Sequence, residues 1–338
     1  MVRITILGAG AMGAALTVPA TENGHSVGLW FTEYDLGIYE AVMRGEPHPR
    51  IKVKLPGSVR LYRPEEFDEA VASADLLILA VSSQGVYPVS KTLSRALSVG
   101  EVPVAVVSKG IELVEGEPMT MAEVVAKYSG THRVVYVSGP SLAAELAARR
   151  PTFTVYSSEN RADAERFKEA METGYYRISL SSDVLGASLS AALKNPYAIA
   201  YGIVDGMEGG GYNNLKAALV AHILGEMAGI VERLGGRRET VYSLSGIGDV
   251  YVTMMGGRNS MFGRLIGSGL TVEEALREME RRGVGVVEGY RNSETLIRYL
   301  EARGLGRSDA PILYTVYEIL HRGAPRESLI ETLVSLES

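Results

Sequence analysis

A doubly wound α/β sheet domain followed by an all-helical domain is the fold class this sequence predicts, and three observations carry it. Short runs rich in Val, Ile and Leu alternate with amphipathic segments through the first half. A glycine-rich turn joins the first run to the first helix, and beyond Ser181 only helical spacing remains. A chain of 338 residues is also long enough for two cores, at about 100–200 residues per domain.

Taken in order, residues 2–7, 26–31, 76–81, 102–108 and 134–138 read as strands buried on both faces of a parallel sheet. The amphipathic segments 65–74 and 86–97 lie between them, which makes the connections right-handed crossovers. Runs 152–157 and 175–180 continue the sheet, with 160–172 helical between them, so the first domain is expected to span 1–180. The second, 181–338, opens with helical spacing over 183–204 and 213–234. Pro196 removes the hydrogen bond to the Ala192 carbonyl and should kink the first of these helices. Residues 206–211, four of them glycine, read as a flexible connection between the two. Thr271 with Glu273 and Glu274 supplies a cap and an acidic first turn, and further helices are expected over 290–302, 310–321 and 325–335.

Composition removes several functional classes. Apolar residues make up 46% and charged residues 22%, the usage of ordinary globular proteins. The net charge of −6, with arginine pairs scattered along the chain, argues against nucleic acid as a partner. The absence of cysteine excludes disulfides, thiolate metal sites and a cysteine nucleophile, and with 5 histidines no metal site is expected. No apolar run approaches the roughly 18 residues of a membrane helix, so a cytoplasmic protein without membrane insertion is expected.

The first motif is Gly8-Ala9-Gly10-Ala11-Met12-Gly13, directly after a strand and opening a helix. In that context Gly8 permits the tight turn, Gly10 lets the backbone approach a pyrophosphate and Gly13 lets helix pack on strand, the Rossmann-type dinucleotide signature. Glu33 lies 20 residues past Gly13, at the end of the second strand, where an acid bonds the ribose hydroxyls; no arginine stands beside it in sequence. That leans toward NAD, although Glu33 and Asp35 read equally well as solvated loop acids, and use of both NAD and NADP stays open. Lys109 follows a buried strand at its C-terminal end, the edge where open sheets bind ligands. Gly139 and Ser141 follow the next strand, where a plain strand-to-helix turn explains them as well.

In the second half, Lys194 and Asn195 interrupt an otherwise small and apolar helix. A lysine buried there would lose solvation, which suits a general acid or base near neutrality; the alternative is a side chain snorkelling to water. Asp249 and Thr253 share one helical face, and Gly256-Gly257 precede Arg258-Asn259 at an apparent helix start, a natural phosphate receptor. Each has an ordinary reading too, as a capping Asp, a back-bonded Thr or a surface Arg.

In order and spacing these motifs resemble the NAD(P)-dependent sn-glycerol-3-phosphate dehydrogenase family, of the bacterial and archaeal single-chain type. The resemblance runs through Gly8–Gly13, Leu29-Trp30, residues 108–112, 138–145, 192–206, 213–219, 248–259 and 286–289. It implies reduction of dihydroxyacetone phosphate with NAD(P)H, supplying glycerol phosphate for phospholipid synthesis, with Lys194 as the catalytic lysine. It further implies that Lys109, Gly139, Ser141, Asn195, Asp249, Thr253, Arg258 and Asn259 form the substrate and catalytic shell, with Asp249 orienting Lys194. The cofactor contacts it implies are Gly8, Gly10, Ala11, Met12, Gly13, Trp30, Glu33, Lys109, Ala143, Arg258, Val286 and Glu288. The active site is then expected in the cleft between domains, with a small phosphorylated triose as substrate and a homodimer admitted. Ser82, Pro196 and His222 depart from the family's pattern, and Thr32 stands where NADP-tolerant members often carry Arg. The competing readings are a ketopantoate or 3-hydroxyacid reductase of similar plan, and an NAD(H)-sensing module without turnover.

Overall fold

The computed structural model of the protein describes residues 1–96 and 102–337. In chain order the strands are β1 (Arg3–Leu7), β2 (Ser26–Trp30), β3 (Arg60–Tyr62), β4 (Leu76–Leu79), β5 (Val104–Val106), β6 (Ile111–Val114), β7 (Glu117–Thr120), β8 (Val134–Ser138), β9 (Thr152–Ser157) and β10 (Tyr176–Ser181). Eight of them form one sheet in the order β10-β9-β8-β5-β4-β1-β2-β3, and β6 pairs with β7 separately. The five expected strands and the two that extend the sheet are all present. The amphipathic segment expected over 86–97 is the helix Ser83–Ala96; residue 97 lies outside the described residues.

A parallel sheet was expected throughout, but β9 runs antiparallel to β8, with Val137 opposite Tyr156. The intervening helix, Ala143–Ala147, has 5 residues. It is therefore about 7 Å long, too short to run back beside a strand of about 16 Å. The longer helix Arg161–Met171 returns the chain, and β10 is parallel to β9. β3 escaped sequence reading because it is 3 residues long and only Tyr62 is buried. The β6–β7 hairpin turns through Glu115 and Gly116, both at positive φ (52° and 88°), a type I′ turn in which one residue is not glycine.

The chain divides into two compact units. A division into 1–180 and 181–338 was expected; the sheet unit comprises Met1–Lys109 with Thr120–Val184, and the helical unit Gly110–Met119 with Leu185–Ser338, of which residue 338 lies outside the described residues. The sheet unit's core is built on β1, β2 and β4, where Ile4, Ile6, Val27, Leu29, Leu76 and Ile78 are buried. In the helical unit Ile111 of β6 joins the core of Leu193, Ile199, Ile223, Phe262 and Leu296.

The helical unit is organised by the helix Val184–Gly206, which continues through Pro196. It crosses the helix Arg258–Gly267 at backbone contact: a Cβ on Gly202 would lie 2.2 Å from the Ser260 carbonyl oxygen, and one on Gly263 2.2 Å from that of Ile199. Only glycine at both positions allows this approach, and the crossing fixes the start of the second helix relative to Lys194. After Gly206 the chain turns through the short 3₁₀ segment Met207–Gly210, where a flexible connection was expected. The helix Asn213–Arg233 corrects the expectation that no segment approaches membrane length, since it is long and apolar enough by composition, with mean hydropathy 1.3. Its buried face, including Leu219, Ile223, Met227 and Ile230, belongs to the helical core.

Candidate active site

In the sheet unit the helix Ala11–Glu22 begins where the glycine motif places it, with Gly10 as a cap that contributes no side-chain bond. Its first amides are thus left to an anion. Gly8 has φ +107°, and a Cβ on Gly13 would lie 1.9 Å from the Gly8 carbonyl oxygen, so both glycines are sterically required. The loop therefore fits a dinucleotide's diphosphate. Lys109, Gly139, Ser141 and Met12 are brought together around it: Lys109 Nζ donates to the Gly139 carbonyl at 3.2 Å, and Ser141 Oγ lies 3.9 Å from Met12 Sδ. Ala143 begins the short helix that follows.

Trp30 and Asp35, at and just beyond the end of β2, are both buried. Trp30 donates its indole N–H to the Pro64 carbonyl at 3.2 Å, its ring packed edge-on to Phe67. Asp35 is no solvated loop acid, since its carboxylate accepts from the Thr32 hydroxyl at 2.8 Å and from the Thr32 backbone N–H at 3.3 Å. Glu33, in the same turn, is exposed.

In the helical unit, Lys194 and Asn195 are both buried. The ammonium of Lys194 does not snorkel to water; it pairs with the carboxylate of Asp249, which is 1% exposed. Asp249 opens the helix Asp249–Met254, and Thr253 Oγ1 donates to its backbone carbonyl at 2.7 Å. Thr253 therefore has acceptor capacity left for a ligand, but its proton is committed.

Asn259 links two other parts of the helical unit through its side chain. Its Nδ2 donates to Asn195 Oδ1 at 2.9 Å, and its Oδ1 accepts the Gly289 N–H at 2.9 Å. With Asn195's oxygen thus occupied, Asn195 Nδ2 is left buried without a partner, a donor held ready for an acceptor oxygen. Asn259→Asp should break this relay by placing a carboxylate against the Asn195 carbonyl. We expect kcat/KM to fall about tenfold or more, consistent with roughly 1–3 kcal/mol for a disrupted buried hydrogen bond. Unchanged kinetics and melting temperature would show that the relay does not orient Asn195.

Arg258 starts its helix behind Gly257, again without a side-chain cap, leaving the first amides free for an anion. Its guanidinium lies 3.5 Å from Glu288, both side chains being about half exposed, 50% and 45%. Such a pair contributes little and exchanges easily for a stronger anion. Val286 is exposed just ahead of Glu288. Of the departures, Ser82 accepts through its carbonyl from the Gly85 N–H at the start of the next helix, and His222 lies 3.1 Å from Glu337.

Sequence reasoning missed two residues beside the glycine loop, His48 and Arg50. The buried His48 ring reaches the Ala9 carbonyl through Nε2 at 2.9 Å and accepts the Arg50 N–H through Nδ1 at 3.2 Å. These bonds need the neutral ring, and desolvation by burial holds its pKa below the usual histidine value. No motif signals a histidine 40 residues downstream of Gly8.

Comparison with known proteins gives a consistent set of matches. The family profiles described as NAD-dependent glycerol-3-phosphate dehydrogenase N-terminus and C-terminus match residues 3–164 and 183–331. The NADP(+)-dependent glycerol-3-phosphate dehydrogenase of Archaeoglobus fulgidus is 38% identical, over 99% of each chain. The glycerol-3-phosphate dehydrogenase [NAD(P)+] of Clostridium perfringens strain SM101 is 32% identical, over 99% of this chain and 97% of that one. Among solved structures, the glycerol-3-phosphate dehydrogenase of Coxiella burnetii superposes with a TM-score of 0.85 at 28% identity, covering 98% of both chains.

Proposed function

The chain belongs to the NAD-dependent glycerol-3-phosphate dehydrogenase family, and from that membership we propose how its residues divide the work. The enzyme interconverts dihydroxyacetone phosphate and sn-glycerol 3-phosphate with NAD(P)H. The observation that carries the division is the buried pair of Lys194 and Asp249 next to the unpartnered amide of Asn195.

A nicotinamide dinucleotide held by the Gly8–Gly13 loop would supply the hydride that reduces the ketone carbon. Lys194 gives a proton to the oxygen that becomes the alcohol, and in reverse its neutral amine takes that proton back. Asp249 is the positioning partner, holding the ammonium in one rotamer and stabilising its charge. Asn195 Nδ2 donates to a substrate oxygen, and Thr253 Oγ1 accepts from a substrate hydroxyl. Arg258 releases Glu288 and forks onto the phosphate, joined by the helix-start amides of Asn259 and Ser260. Lys109, Gly139 and Ser141 form the substrate and cofactor edge of the sheet unit, and Glu288 and Val286 contact the nucleotide. The product supplies glycerol phosphate, the backbone for phospholipid synthesis.

The test sets dihydroxyacetone phosphate against a 2-oxo acid of the ketopantoate class, following oxidation of NADH and NADPH. Turnover of the triose phosphate alone is expected; preference for the oxo acid would move the enzyme to the reductase class, and turnover of neither would favour a sensor.

For the nucleotide, Glu33 accepts from the adenosine ribose hydroxyls and repels a 2′-phosphate, which favours NAD. Glu33→Arg should therefore shift the kcat/KM ratio toward NADPH, because a guanidinium replaces a repelling carboxylate. An unchanged ratio would mean that Glu33 faces solvent.

A further inference from the structure

We propose that Glu226, acting through the hydroxyl of Tyr197, is a positioning residue for Lys194, and that the pair supplies the restraint which Pro196 removes from the helix Val184–Gly206. The inference rests on the reading of Lys194 as proton donor above and adds to it two residues outside the catalytic set.

The first observation is a gap in the helix. Proline has no N–H, so the Ala192 carbonyl loses its usual donor at residue 196, although the helix continues past it. The turn that this bond would have closed contains Lys194 and Asn195. A helix lacking one rung of its ladder bends and rotates more easily at that turn. Lys194 delivers its proton from there, and a misplacement of about 1 Å can cost about 10²-fold in rate.

The second observation is what stands on either side of the gap. Ahead of Pro196 the chain is held at Asn195: a Cβ on Gly289 would lie 2.7 Å from its carbonyl oxygen, and its side chain accepts from Asn259. Immediately after Pro196, Tyr197 is 0% exposed, and its hydroxyl donates to Glu226 Oε1 at 2.7 Å. Tyr197 lies three residues beyond Lys194, which sets the two side chains on neighbouring rows of one helix surface, about 4.5 Å apart along the axis. The third observation is that Glu226 is itself fixed. It belongs to the helix Asn213–Arg233, and at the start of the helix Pro311–His321 its Oε2 accepts the Ile312 N–H at 2.8 Å and its Oε1 the Leu313 N–H at 2.9 Å. Tyr197 is thus tied to a carboxylate that three helices share, and rotation of its helix at Pro196 would have to break that tie.

The experiment is a double-mutant cycle in the full chain: wild type, Tyr197→Phe, Pro196→Ala and the two together, with kcat, KM for dihydroxyacetone phosphate and melting temperature measured for each. Tyr197→Phe keeps the ring and the amide bonds of Glu226 and removes one hydroxyl. It should lower kcat about 10–100-fold. KM should stay within about twofold, because the phosphate receptor at Arg258 starts another helix. Pro196→Ala restores the missing N–H, so it should keep kcat near the wild-type value, and in that background Tyr197→Phe should cost less than about threefold. A Tyr197→Phe enzyme with a lower melting temperature and unchanged kcat would assign the hydroxyl to the fold alone and overturn the proposal. Equal losses of kcat in both backgrounds would overturn it too, since the tie would then not stand in for the bond that Pro196 removes. Failure of the Lys194 reading is separable: a Lys194→Ala enzyme that kept its kcat would overturn both, whereas an inactive Lys194→Ala beside a fully active Tyr197→Phe overturns the tie alone.

Discussion

Lys194→Ala is expected to lower kcat by roughly 10²–10⁴-fold, the usual loss when a general acid–base group is removed. NADH affinity should stay nearly constant, because the glycine loop belongs to the sheet unit and Lys194 to the helical unit. The substitution also takes the ammonium away from the buried Asp249 carboxylate, and breaking such a buried pair typically costs about 3–5 kcal/mol. Lost activity alone would therefore be ambiguous. The double variant Lys194→Ala with Asp249→Asn removes that buried charge, so it should recover much of the stability and none of the turnover. If either variant kept more than about a tenth of wild-type kcat, Lys194 would not be the proton donor.

The readable parts of this protein are those in which one local pattern has one physical meaning. An apolar run before Gly8, Gly10 and Gly13 allows little except a strand, a tight turn and a helix aimed at an anion. The Thr271 cap with Glu274 was equally legible, and the structure shows the reciprocal bonds of a capping box there. Features that depend on partners distant in sequence were not legible. Nothing in residues 111–120 says that a hairpin leaves the sheet unit to join the helical core. The antiparallel turn of β9 follows from the shortness of one helix, and helix length is the least certain quantity in a sequence pattern.

The same distinction divides the site. Lys194 stood out because a charge interrupts a small apolar helix. Asn259 reads as a phosphate ligand because it follows Arg258, and nothing nearby in sequence shows that its amide also bonds Asn195 and Gly289, residues 64 and 30 positions away. Glu226 shows the limit most clearly. It accepts from the Tyr197 hydroxyl at 2.7 Å and from the amides of Ile312 and Leu313 at 2.8 and 2.9 Å, closing the start of the helix Pro311–His321. Burial pushes its pKa up to about 7, and nothing in its own helix distinguishes it from a surface acid.

Arg258→Ala should raise KM for dihydroxyacetone phosphate about 10–10³-fold, the range for losing one or two charge-assisted hydrogen bonds to a phosphate. A fall in kcat should accompany it if phosphate binding also aligns the carbonyl, since remote binding energy is then used for orientation. Arg258→Lys should recover only part, because an ammonium keeps the charge and loses the planar fork. Dihydroxyacetone itself is the control. Wild type should reduce it poorly, and the alanine variant should lose far less on it than on the phosphate ester. Equal losses on both would assign Arg258 to the fold or the nucleotide.

Transfer of label tests the central claim most directly. Dihydroxyacetone phosphate is reduced with a dinucleotide carrying deuterium at the transferable position of nicotinamide C4, and the product is analysed by mass spectrometry and NMR. The account predicts sn-glycerol 3-phosphate with deuterium on C2 and a solvent-exchangeable proton on its oxygen. Deuterium absent from C2, or hydrogen delivered there from solvent, would contradict hydride transfer and with it the role assigned to Lys194.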